Sequence, residues 1–332
     1  MYGEDTLAAM TARTRVLATV AAAAAVVVAA TVAITWLQSR GETRTRAAAV
    51  TRPRAGRPPL TFEFGVRNDG EARALASGAR LLAKGSPAKA LAIFDRYHSL
   101  DAQIGSAFAR WPDGGLDTLK RLVASHPASA AAQLHLGWAL LWSGRTADAA
   151  AQFERVDREF PDAPEAATAE DVLYPRMAPN LPYIVLGLAL PPAPTAAAQF
   201  RLLARAAPGG GADAKLRYGL ALWSLRRRVS AEREFQAAAK LAPKSPVART
   251  AAAVGAFTKR SPVRAFGLLG PLTGVFPRAA VVRLHLGILL LWTGQIAKAK
   301  KELRSAVLYE PGSSWATTAR QLLSAIPNNG TK

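Results

Sequence analysis
The chain has 332 residues, half of them hydrophobic, and a formal net charge of +20 at pH 7. That length and apolar content suffice for an extended repeat array with a core of its own. There is no cysteine, which excludes a disulfide framework and a thiolate metal site.

Residues 1–15 read as a short polar tail carrying Glu4, Asp5, Arg13 and Arg15. Residues 16–37 follow, 22 positions without a charge. At ~1.5 Å per residue this run would be about 33 Å long as a helix, enough to span a bilayer core. Trp36 stands where an interfacial aromatic belongs. The expectation is a single-pass membrane anchor, with a cleaved signal peptide and a buried core helix as alternatives. Two arginines precede the run and six follow it closely (Arg40, Arg44, Arg46, Arg52, Arg54 and Arg57). The positive-inside bias therefore puts the rest of the chain on the cytoplasmic side.

Residues 38–69 read as a basic, Arg- and Pro-rich linker. Within it, residues 60–66 (LTFEFGV) alternate like a short strand but have no partner strand in view. They are expected to lie extended against the first helices.

From residue 70 to 326 the chain repeats itself. Residues 134–161, LHLGWALLWSGRTADAAAQFERVDREFP, align without a gap on residues 284–311, LHLGILLLWTGQIAKAKKELRSAVLYEP. Counting from Gly137, Leu140 is at +3, Gly144 at +7, Ala149 at +12, Phe153 at +16 and Pro161 at +24. Gly287 gives Leu290, Gly294, Ala299, Leu303 and Pro311 at the same offsets. A third copy hangs on Gly219, with Leu222, Ala231, Phe235 and Pro243. Each unit has apolar residues at helical spacing, a glycine turn, a second helical run and a terminating proline. The small residue at +12 lets two helices approach, and the residue at +16 plugs the gap between them. Pro243, Pro277 and Pro311 are 34 residues apart, as are Pro127 and Pro161. Weaker units cover 71–104, a shortened 105–129, and 246–279. An irregular insertion at 174–194 breaks the period, with six prolines flanking the apolar run 183–190. It is either a loop packed across the helices or a segment lying in the groove like a bound peptide.

A 34-residue helix–turn–helix of this composition resembles the tetratricopeptide repeat family. The resemblance covers most of residues 71–326. It implies an all-α fold, an α-solenoid, here preceded by the expected transmembrane helix and followed by a tail at 327–332. It further implies that first helices line a concave face and that the places one, four and five residues after the glycine point into it. Trp138, Trp142, Trp223 and Trp292 occupy such places, with Leu220 and Ile288 beside them, and His135 and His285 precede the Leu-Gly pair. Aromatic anchors in a groove suit peptide recognition; alternatively these residues seal adjacent repeats.

The sequence holds no Ser/His/acid set or carboxylate pair, so no catalytic residue is expected. Gly209-Gly210-Gly211 lacks the Gly-Lys-Ser/Thr of a phosphate loop. The scattered histidines suggest no metal site, and no cofactor is expected. Charge is polarised: residues 70–175 carry a net −2 and residues 176–332 a net +18. Arg217, Arg226, Arg227, Arg228, Arg233, Lys259 and Arg260 are the candidates for attracting an anionic partner. The absence of stacking aromatics along a basic track argues against nucleic acid. The reading is a membrane-anchored adaptor that recruits a protein partner, with an acidic segment as one candidate. A structural or assembly subunit of a membrane complex and a binder of anionic lipid or nucleic acid are the alternatives.

Overall fold
The structure is a computed structural model that describes residues 53–326. The tail at 1–15, the apolar run at 16–37, most of the expected linker and residues 327–332 lie outside the described residues. Among the described residues no helix is long and apolar enough to cross a membrane. The expected single-pass membrane localisation, and the cytoplasmic orientation built on it, are corrected accordingly. The longest helices here have 14 residues and are paired as hairpins that bury one face against a neighbour.

The helices form two sets. The first is α1 (Gly70–Ala83), α2 (Pro87–Phe94), α3 (Leu100–Ala109), α4 (Gly115–Ser125), α5 (Ala130–Trp142), α6 (Thr146–Glu159) and α7 (Pro164–Leu173). The second begins with α8 (Ala196–Ala206), α9 (Gly211–Ser224), α10 (Arg228–Leu241), α11 (Pro246–Gly255) and α12 (Pro262–Leu269). It ends with the single turn α13 (Leu272–Val275), then α14 (Ala280–Trp292), α15 (Ile296–Tyr309) and α16 (Ser314–Ala325). Consecutive helices pack on one another within each set, and the irregular insertion connects α7 to α8, which makes an all-α repeat solenoid. No strand is present among the described residues.

The repeat offsets have a direct packing cause. A Cβ added to Gly137 would stand 2.7 Å from the Phe153 ring, and one on Gly219 would stand 2.6 Å from Phe235. Gly78 meets Phe94 and Gly287 meets Leu303 in the same way. The residue at +16 therefore lies flat on the helix backbone at the glycine, a place no side chain could share. Position +7 is the left-handed turn: φ is 73° at Gly85, 78° at Gly144 and 75° at Gly294. In the third strong unit that place is held by Arg226 at φ 58°, a conformation costing a non-glycine residue roughly 1–2 kcal/mol. Serines at the helix starts supply the orphan N–H acceptors: Ser99, Ser129, Ser245 and Ser313 each accept from the third residue on.

The buried side chains fall into two cores, one per set. Leu75, Phe94, Phe108, Leu119, Leu134 and Phe153 belong to the first. Trp223, Phe235, Phe257, Leu284, Ile288 and Leu303 belong to the second. Helix α7 stands between them, with Ala169 in the first core and Ala167 in the second.

Candidate functional site
Each core is completed by an extended piece of the same chain. Residues 53–66 run over the first set, where Leu60, Phe62 and Phe64 pack on the core. Residues 177–190 run over the second, where Ala178, Leu181, Ile184 and Leu186 are buried. We call these the first and second straps. The irregular insertion thus lies across the groove of the second set, and residues 60–66 lie across that of the first.

The two straps hold the same register. The Arg54 N–H donates to the Trp142 carbonyl (2.9 Å), and the Ala178 N–H donates to the Trp292 carbonyl (3.1 Å). Trp142 and Trp292 are the same place in two copies of the repeat. Seven residues further along each strap stand Thr61 and Val185: the Val185 N–H donates to His285, and the Thr61 backbone raises the proton affinity of His135, the equivalent residue. Gly56 and Asn180, two residues into the aligned segments, both have positive φ, at 78° and 62°. Pro58 and Pro182, two residues beyond, are both buried. Each strap therefore runs antiparallel to its helix and turns at the same place.

The second strap is held by side chains on all sides. The Val185 N–H donates to His285 Nε2 (3.0 Å), while the other ring nitrogen of His285 lies 2.6 Å from the Val281 carbonyl. A neutral ring with its proton on Nδ1 satisfies both contacts. Trp223 Nε1 donates to the Pro182 carbonyl (2.8 Å), Trp292 Nε1 to the Asn180 carbonyl (3.3 Å) and Trp315 Nε1 to the Val185 carbonyl (2.9 Å). The Asp171 carboxylate accepts from the Asn180 N–H at 2.9 Å and fixes the turn. A cavity of about 310 Å³ beside this strap is lined by Leu181, Pro182, Ile184, Leu220, Trp223 and Arg226, among others.

The first strap leaves the matching groups without partners. Trp142 Nε1, Trp138 Nε1 and His135 Nε2 are all buried and have no hydrogen-bond partner among the described residues. The Thr61 backbone is close enough to act on the proton affinity of His135, yet no atom reaches Nε2 in hydrogen-bond geometry. Arg54 instead lies over the Trp142 ring, 5.1 Å from its centroid, and Trp138 packs edge-on to Phe153 at 5.2 Å. Arg57 is exposed at the place where Leu181 is buried in the second strap. A charged residue does not enter an apolar floor unpaired, and the Arg57 side chain stays in solvent.

Burial pushes both ring pKa values down, to about 4 for His135 and about 4 for His285. Both rings are fully buried, at 1% and 0% exposure.

The predicted groove residues are thus placed under straps and not on an open face. His135, His285, Trp223, Trp292 and Ile288 are buried, and Trp138, Trp142 and Leu220 are partly buried. Ile288 is fully enclosed in the second core. The predicted basic surface differs more sharply from expectation. Five of its seven residues are engaged by carboxylates of the first helical set and first strap. Arg228, buried, reaches Asp157 Oδ1 (2.6 Å), Glu170 Oε1 (2.7 Å) and the Pro161 carbonyl (2.9 Å). Arg260 also pairs with Asp157, buried Lys259 with Asp171, and Arg226 with Glu63. Arg227 pairs with Asp162 at 3.3 Å. Asp162 further accepts from the Ser230 N–H (2.8 Å) and thereby caps α10, whose own N-cap position is Arg227. Arg217 donates to the Ala189 carbonyl at 2.9 Å, and Arg233 is exposed.

Burial raises the Glu170 pKa despite the attraction of Arg228. Burial alone would lower that of Arg228, but Glu170 and Asp157 outweigh it and the net shift is upward.

Residues 112–171 match the tetratricopeptide repeat family. No curated protein matches the sequence. Among solved structures the chain is similar to the TPR2AB domain in the pHSP90 complex of yeast Sti1, at 13% identity over 77% of this chain and 97% of that one, with a TM-score of 0.30. It is also similar to yeast Tom70, at 16% identity over 82% of this chain and 53% of that one, with a TM-score of 0.34. A tetratricopeptide repeat protein from Parabacteroides merdae ATCC 43184 is similar at 14% identity, over 77% of this chain and 98% of that one, with a TM-score of 0.32. The tetratricopeptide match spans α4 to α7, the stretch that supplies Trp138, Trp142 and the acidic side of the junction. Tetratricopeptide repeat proteins generally mediate protein–protein interactions.

Sequence reasoning missed the acidic partners Glu63, Asp157, Asp162, Glu170 and Asp171. A signal was present: acidic residues crowd positions 154–171 as arginines crowd 226–228, which points to an internal complement. The shared register of the straps was also missed. The straps lie 124 positions apart (Arg54 and Ala178) whereas their helices lie 150 apart (Trp142 and Trp292), so no single alignment shows both.

Proposed function
We propose that this chain is a protein-interaction scaffold whose repeat grooves recognise extended segments, and that its role is binding rather than catalysis. The observation that carries the reading is the repeated strap: two grooves of one chain take two unrelated extended sequences in one register. Recognition runs through the strap backbone and through equivalent Trp and His residues. Backbone recognition of an extended segment, with pockets for alternate side chains, is a general mode of peptide binding. Five basic residues of the second half act inside the molecule, pairing with carboxylates of the first half across the junction of the two helical sets.

The test is affinity capture on the full-length protein, followed by titration of each captured protein against purified chain. Saturable one-to-one binding of a captured protein is the expected outcome. A purified chain that binds no captured protein saturably would overturn the reading.

A further inference from the structure
The two grooves are built alike but filled unequally, and the inequality lies in polar groups whose needs are known. In the second groove, the tryptophan and histidine that face the strap are satisfied by it: Trp292 by the Asn180 carbonyl and His285 by the Val185 N–H. In the first groove the equivalent groups, Trp142 Nε1 and His135 Nε2, are buried and have no partner among the described residues, and Trp138 Nε1 joins them. Buried polar groups in folded proteins are nearly always paired, so three unpaired ones gathered at one groove call for an explanation. The first strap is also the less enclosed. Residues 53–57 are exposed and Leu60, Phe62 and Phe64 are half-buried, whereas five residues between 178 and 186 are buried. The second strap is fixed between α7 and α8, its turn bound by Asp171. The first strap is tied to the rest of the molecule by Glu63, which pairs with Arg226.

We infer that the first groove is an exchange site: strap 53–66 is a weakly fitting internal occupant that gives way to an extended segment of a partner protein, with the chemistry of the second strap. That segment is uncharged, bears a proline and aliphatic residues in the pattern of residues 178–186, and offers a carbonyl to Trp142 Nε1 and an N–H to His135 Nε2. The inference rests on the scaffold reading above and specifies its site and partner. The second strap is the template because it shows what a groove of this geometry holds when its tryptophan and histidine are both met. Its aliphatic Leu181 occupies the place from which Arg57 of the first strap is excluded. The exchange is a competition, so the affinity for a partner is the intrinsic affinity reduced by the fraction of molecules whose strap is seated.

The experiment titrates the full-length protein with a labelled peptide of residues 177–188, MAPNLPYIVLGL, carrying a solubilising tail, and follows anisotropy. Three forms are compared: the unaltered protein, Glu63→Gln, which removes the charge that pairs with Arg226 and so weakens that tie, and the double variant Leu60→Ala/Phe62→Ala. The expected result is saturable binding that tightens about threefold in Glu63→Gln and tenfold or more in the double variant, with Trp142→Ala weakening it at least tenfold. Hydrogen exchange on the complex should then show faster exchange at 53–66 and no change at 178–187. Equal affinity in the three forms, or faster exchange at 178–187 instead, would overturn the inference. So would self-association of the double variant that the peptide fails to disperse, because a second copy would then be the occupant. If the double variant is less helical than the unaltered protein, the affinity of Glu63→Gln against that of the unaltered protein decides instead. Captured partners that bind all forms alike would sink the exchange while leaving the scaffold reading standing.

Discussion

The first helical set, residues 70–173, and the second, residues 196–325, use the same hairpin unit and the same lock between glycine and the residue sixteen places on. They differ in how they finish. The second set closes its groove with a strap joined at both ends to helices, and Trp223, Trp292, Trp315 and His285 all bond to that strap. The first closes its groove with a segment that bonds the Trp142 carbonyl and passes His135 in the same register, yet leaves Trp142 Nε1 and His135 Nε2 without a partner among the described residues. The lesson is that a repeat fold fixes where an extended segment must lie well before side-chain chemistry fixes how tightly it is held.

The sharpest way to break the comparison is to separate the two sets. Replacing Arg228 by Met leaves Glu170 and Asp157 buried at the junction without their main counter-charge. Removing one partner of such a buried pair costs about 3–5 kcal/mol. We expect the calorimetric unfolding of Arg228→Met to divide into two transitions, one per core, because repeat arrays lose cooperativity when one interface weakens. An unchanged single transition would show that the apolar contacts around α7 hold the sets together alone.

Acid acts on both grooves. The imidazoles have an unfolded pKa near 6.5 and a folded value of about 4. The fold therefore favours the neutral ring, and the unfolded chain binds more protons between those values. The stability due to each histidine is complete above pH 6.5 and is lost as pH falls toward 4. Between pH 7.5 and pH 5 the loss is about 2 kcal/mol per histidine. The buried carboxyls of Asp101, Glu165 and Glu170, raised by burial, work in the opposite sense: they favour the fold at low pH and lose that contribution as pH rises. Denaturant midpoints measured across this range should flatten by one histidine's share in His285→Gln, and by a similar share in His135→Gln. A pH dependence identical in the unaltered and variant proteins would refute the assignment.

The smallest expected effect is the most pointed for the grooves. Trp292→Phe strands the Asn180 carbonyl and should cost about 1–2 kcal/mol. Trp142→Phe removes an N–H that has no partner and should change stability by no more than about 0.5 kcal/mol. Equal costs, read from denaturant unfolding, would mean that the two indoles are in equivalent environments after all.

Much of this was legible in the residues. The Gly137–Phe153 and Gly219–Phe235 spacings predict the hairpin and its lock, because a ring lying on a helix backbone admits only glycine beneath it. The period of the prolines predicts the solenoid. The straps were harder: a segment such as 53–66 or 177–190 has neither helical nor strand periodicity, since it is paired to helices through isolated bonds at Trp142, Trp292, His135 and His285. Its place is set by long-range contacts that local pattern does not encode. The arginines misled for a related reason. Net charge counts Arg226, Arg227 and Arg228 as free, but their partners Glu63, Asp162, Asp157 and Glu170 are supplied by the other half of the chain.

The most direct measurement is hydrogen exchange of the full-length protein at single-residue resolution over the two straps. Val185 and Ala178 donate their amides to His285 and Trp292, and Arg54 donates to Trp142. The account predicts protection at Ala178 and Val185 close to that of α14, with residues 53–66, Arg54 included, exchanging at least tenfold faster. Equal protection of the two straps, or a first strap that exchanges more slowly than the second, would contradict it.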